Sequence, residues 1–248
     1  MKFQWQMNLV IEISWFAGSM RSCTIRAAPK FSPGDDVTTF FEALKIQRFD
    51  DHRYYHHSRI NQSLHFISAI SFVVAYAFLL IDPVISALIA WLVSMTTRQS
   101  GHFFFEPLGY DEINQATQEH KEEIKVGYNL NRKIVLLSIW AILPMVLYVE
   151  PGLFGMIEPW DTLTEWVRQV GASWLILGVA GLLFRTIHLF FLKDVQTGLV
   201  WMTKIITDPF HDIVLYHKAP LYLLKGELMD NNPKQMYHWY FELQKKPL

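Results

Sequence analysis

Six residues of this chain have the types and spacing to act together on a metal ion: His56, His57, Asn61, His65, His102 and Glu106. His57, Asn61 and His65 recur every fourth residue, as do His102 and Glu106, so each set lies along one face of a helix. Two histidines with one carboxylate are a typical ligand set of ferrous oxygenases and leave positions open for substrate and oxygen. Geometry alone selects His65, His102 and Glu106 as ligands, with His57 next. Asn61 is expected to hold a ligand or substrate in place. His57 and His65 are roughly 12 Å apart along a straight helix, so both reach one ion only if the helix breaks. His56 points about 100° away from His57, and an unbroken helix turns only one of the pair inward.

The elements that must position these groups are apolar. The chain is 51% hydrophobic and only 18% charged, below the roughly one quarter charged that is usual for soluble domains. Four apolar segments stand out: about 64–81, 84–95 with a polar extension to 105, 134–149 and 172–192. Each is near or slightly under the roughly 20 residues that span a bilayer, so full crossing is expected, with a shallow hairpin as the alternative for the first two. Asp82-Pro83 separates the first two and makes them a hairpin. His65 and His102 then stand roughly 25 to 30 Å from that turn, level with each other on neighbouring helices. Lysines and arginines set the orientation. Eight precede His65, five fall in 96–133 and seven in 193–248, but only Arg168 lies between the third and fourth segments. Both termini and the middle loop are therefore expected on the cytoplasmic side.

The expected fold is an all-α membrane protein with four transmembrane helices in two hairpins, N-in and C-in, plus cytoplasmic and interfacial helices. Residues 1–53 form an N-terminal extension, with a short helix around 37–48 capped at Asp35 or Asp36. Residues 54–110 form the metal-site hairpin, 111–133 a cytoplasmic loop, 134–192 the second hairpin and 193–248 an interfacial tail. In that tail, 198–206 and 211–224 have the composition of helices lying in the membrane interface or, equally, docked on the helix bundle from below.

Tyr55-His56-His57 with Asn61 and His65, an apolar segment, then Gly101-His102 with Phe105-Glu106 resembles the fungal 2-hydroxy fatty acid dioxygenase family. The resemblance covers about residues 54–110, and Pro107-Leu108-Gly109-Tyr110 departs from the family pattern. It implies an endoplasmic-reticulum or, by the related bacterial sequences, inner-membrane enzyme. That enzyme would use Fe(II) and molecular oxygen to shorten a 2-hydroxy fatty acid by one carbon, with the motif histidines as iron ligands. Here the bacterial membrane is the favoured location.

Other residues remain in play. Arg185, one turn before His188 inside the fourth segment, is an intramembrane charge placed to anchor a substrate carboxylate or to snorkel to the surface. His120, His211 and His217 are the donors available to a second metal. Cys23 is the one cysteine, which excludes an intramolecular disulfide, and a net charge of −1 gives no reason to propose nucleic acid as a partner. The competing readings are a histidine-rich di-iron lipid hydroxylase, a haem carrier with His65 and His102 as axial ligands, and a non-catalytic membrane protein.

Overall fold

The computed structural model describes residues 39–230, apart from 107–108, 112–113, 115 and 128–129 and the side chains of 130–132. The chain divides into Met1–Val37 and Thr38–Leu248, and everything below concerns the second unit. The expectations for residues 1–38 and for the tail beyond Asp230 lie outside the described residues.

Helices make up the fold, and no strand occurs among the described residues, only isolated bridges. The first is α1, Phe40–Tyr55. Thr39 starts it through a capping box with Glu42, so it begins later and runs further than the expected 37–48 helix. The chain leaves helical geometry at His56-His57. Ser58 then caps α2, Arg59–Leu79, by accepting from the Asn61 amide. Asp82 accepts from the amides of Val84 and Ile85, and Pro83 occupies the first turn, which opens the return limb.

That limb runs unbroken through α3 (Pro83–Ile89), a π-helical stretch (Ala90–Met95) and α4 (Thr96–Phe104). The polar residues from Thr96 onward thus stay helical. The wider π turn shifts the phase of the helix, and Gly101 and His102 face α2 beyond it.

After α5 (Gln118–Ile124) come α6 (Leu130–Val149) and α7 (Leu163–Leu192), a second antiparallel pair. Pro144 has no amide hydrogen to give to the Trp140 carbonyl four residues back, and the Trp174 indole of α7 donates to that carbonyl at 3.0 Å instead. Trp91 of the first pair donates to the Trp174 carbonyl at 2.8 Å and stacks on Trp140, so tryptophans clamp the two pairs together. The tail departs from the expected pair of helices. One helix, α8 (Val195–Tyr216), continues through Pro209, and α9 (Ala219–Leu224) follows it.

Two helices, α2 and α7, are long and apolar enough to cross a membrane, and α6 contributes a shorter apolar stretch, Lys133–Val149. Both turns gather at one end, where Arg168 pairs with Asp82 at 2.8 Å. The opposite end holds the histidines. There Lys125 lies 3.4 Å from Glu106, and Arg185 of α7 donates to the Val126 and Gly127 carbonyls.

Candidate metal centre

His56, His65 and His102 converge. One nitrogen from each lies within 4.8 Å of the others, a grouping that no other His, Cys, Asp or Glu trio matches among the described residues. His65 Nε2 is 3.1 Å from His56 Nε2 and 3.3 Å from His102 Nε2. Two nitrogens bound at about 2.0 to 2.1 Å to one ion, at octahedral or tetrahedral angles, stand about 2.9 to 3.4 Å apart. The His65–His56 and His65–His102 spacings fall in that window.

The hydrogen bonds behind the rings decide what those nitrogens offer. His65 Nδ1 lies 3.0 Å from the Asn61 carbonyl, which only accepts, so the ring donates there and keeps a bare lone pair on Nε2. His102 Nδ1 lies 2.7 Å from Glu106 Oε2, and donation to that carboxylate leaves its Nε2 bare as well. Two lone pairs facing each other at 3.3 Å repel unless a cation lies between them. His56 and His65 are buried, and among the described residues no carboxylate joins the three converging nitrogens. Three neutral imidazoles, two of them oriented from behind, fit a divalent transition metal.

Three segments supply the ligands, and the break at His56-His57 lets the first of them join. An unwound turn exposes carbonyls that a buried site must satisfy. The Asn61 amide donates to the Tyr55 carbonyl at 2.8 Å, and the Gln62 amide donates to the His56 carbonyl at 2.8 Å. The returning tail pairs across the same turn, with Asp230 N–H on the His57 carbonyl at 2.7 Å and Arg59 N–H on the Leu228 carbonyl at 2.9 Å. Gly101 is what brings α4 against α2. A Cβ there would stand 2.2 Å from Asn61 Oδ1 and 3.2 Å from His65 Nδ1.

The remaining candidates lie elsewhere. Glu106 follows the end of α4 and sits on the far side of the His102 ring, not among the three converging nitrogens. Burial raises its carboxyl above the usual range, against the pull of Lys125 and Lys133. His57 turns away from the trio to Asn114 Nδ2 at 3.0 Å and Asp111 at 3.5 Å, and burial holds its pKa low despite Asp111. Asn61 is buried and holds the backbone of the turn in place. Arg185 is buried too, with its guanidinium on loop carbonyls and on His188 Nδ1 at 3.2 Å. His120 and His217 are exposed, and His211 lies beside a small polar cavity.

That cavity borders the metal centre at His56 and is also lined by Arg48, Arg98, Lys204, Asp208 and Asp212. Asp208 receives Arg48 at 3.1 Å and Lys204 at 2.7 Å, and these cations with Arg98 hold its carboxyl low. Asp212 receives Arg98 at 3.0 Å, and there burial outweighs the cation and raises the pKa. Tyr216 closes the cluster, with its hydroxyl 2.9 Å from His52 Nδ1 and its ring 5.9 Å from that of His56. Sequence reasoning looked to His211 and His217 for any contribution from the tail and passed over the buried charges; three of them at spacing four in an apolar stretch, Lys204, Asp208 and Asp212, were the signal.

No family model, curated protein or solved structure matches the chain.

Proposed function

We propose that this protein is a membrane-bound non-haem iron(II) dioxygenase. It would take a 2-hydroxy fatty acid or a similar lipid and release the acid one carbon shorter. The observation that carries the reading is the convergence of His56, His65 and His102 through Nε2, two of them with their Nδ1 atoms already engaged. The overall change balances with no further reductant: RCH(OH)COOH and O2 give RCOOH, CO2 and H2O, the four electrons lost by the two carbons matching the four that dioxygen accepts. When bound, the iron supplies redox chemistry and a Lewis-acid centre for the hydroxyl and carboxylate of the substrate.

The residues of the chain do the rest. The three imidazoles hold the ion, the Asn61 carbonyl and Glu106 fix the His65 and His102 tautomers, and Asn61 with Gln62 keeps the His56 turn in place. A bare ion fits this spacing better than a haem, since two axial imidazole nitrogens across an iron stand about 4 Å apart. In the membrane arrangement we favour, four helices cross in two hairpins with both termini cytoplasmic, in a bacterial inner membrane or the endoplasmic reticulum. The centre then lies at the cytoplasmic edge, where a lipid's head can reach the metal while its tail stays among acyl chains.

Metal analysis of the detergent-purified protein tests this. One iron per chain and oxygen uptake with 2-hydroxy fatty acids are expected, and both should vanish in H56A, H65A and H102A. Stoichiometric iron retained in all three variants would sink the assignment.

A further inference from the structure

The helix α8 has its polarity reversed. Every residue of it that stands exposed is apolar, namely Val195, Leu199, Ile205, Ile206, Phe210 and Val214. Every charged residue of it, Lys204, Asp208 and Asp212, is buried. A helix on the surface of a water-soluble protein shows the opposite pattern. The inward charges are matched within the protein, by Arg48 and Lys204 on Asp208 and by Arg98 on Asp212, so α8 presents no charge on its outer side.

We propose that α8 is an in-plane membrane helix, with its outer side in the acyl layer and its inner side closing the metal centre. The proposal rests on the membrane reading above and adds to it the element that lipid holds in place. Three observations select a bilayer as the occupant. The outer side of α8 continues that of α7, against which it packs and whose Ile187 and Phe191 are likewise exposed. Exposed lysines, Lys193 and Lys218, stand just beyond its two ends, where headgroups would meet them. Both ends also lie at the same end of the helix bundle. Asp194 caps α8 directly after the end of α7, beyond the Arg185 contact with the Val126 and Gly127 carbonyls, and Tyr216 reaches His52 and His56. A helix of this length, about 33 Å, whose two ends lie at the same end of the bundle does not cross the membrane.

Single nitroxide labels on the intact protein in phosphatidylcholine vesicles test the proposal. The variants are I206C, F210C and V214C on α8, with V179C on the exposed side of α7 and K218C as references, all in a C23S background. The reading is the ratio of collisions with dissolved oxygen to collisions with a water-soluble nickel chelate. It should be several-fold higher at the three α8 positions than at residue 218, and below that at residue 179, which lies deeper. If α8 reads like residue 218 while residue 179 reads as lipid, the proposal falls and the membrane reading stands. If residue 179 also reads as water, both fall. Spin–spin broadening at the α8 positions that disappears on dilution with unlabelled protein would mean that a second copy covers this side, and would overturn the proposal.

Discussion

Glu106 reaches His102 through Nδ1, the nitrogen facing away from His65, and its other oxygen lies 3.4 Å from Lys125. A carboxylate behind a metal-facing histidine orients the ring and raises its basicity, and its removal typically costs about 10- to 100-fold in metal affinity. E106Q should weaken iron binding by about that factor in a chelator competition and still bind one ion per chain, whereas H65A should bind none. H57N should keep its iron, because His57 faces Asn114 and Asp111. Residue counts on either side of Asp82-Pro83 already place His65 level with His102. The side of the His102 ring that Glu106 occupies could not be read from them, since α4 ends at Phe104 and the i+4 rule stops with it. His56 was obscured for a related reason. Treating Tyr55 to His65 as one helix sends His56 and His57 in different directions, and Ser58 as a helix cap was the available sign that the helix restarts there.

The α2–α4 contact is the element on which the centre depends. It is closest at Gly101, where the neighbouring Asn61 side chain is tied to the Tyr55 carbonyl and cannot swing aside freely. G101A should therefore push the limbs apart or free the Asn61 amide. Its cost is about 1 to 3 kcal/mol of stability, as for other overpacked sites. The result to look for is a lower thermal midpoint together with weaker iron binding. An unchanged midpoint with full iron would mean that α4 tolerates a methyl group there. Helix positions in the two apolar pairs were legible because long apolar runs and the Asp-Pro break are strong local signals. The π-helical stretch was not, since nothing in Ala90–Met95 marks the extra residue in its turn. In the tail, the expected helices end at 206 and resume at 211, yet α8 continues through that gap with Pro209 buried. Tertiary packing outweighs the lost backbone bond there.

Across the whole molecule, buried neutral histidines link stability to pH. Burial lowers His52 to about 3 and lowers His57 as well. In the unfolded chain both titrate near 6.5. Below that value the unfolded chain takes up protons that the folded chain refuses, so stability falls with falling pH, by about 1.4 kcal/mol per pH unit for each such group. For His52 the loss continues until the pH nears 3. The thermal midpoint of the metal-free protein in detergent should drop between pH 7 and pH 5, and H52N should make that drop shallower. Equal slopes for the two proteins would exclude His52 as a source.

The break at His56-His57 also bears on the order in which the molecule is made. All three metal-facing histidines lie between residues 56 and 102, and the segments that close over them, α8 and Leu228 to Asp230, are the last described parts to leave the ribosome. Chains acquire structure from the N-terminus as they are synthesised. The nascent first hairpin thus carries all three candidate ligands, open on the side that Tyr216 later covers. On the proposed metal reading, loading would have its widest window before the chain is finished, and the tail would then shut the centre around whatever it had taken up.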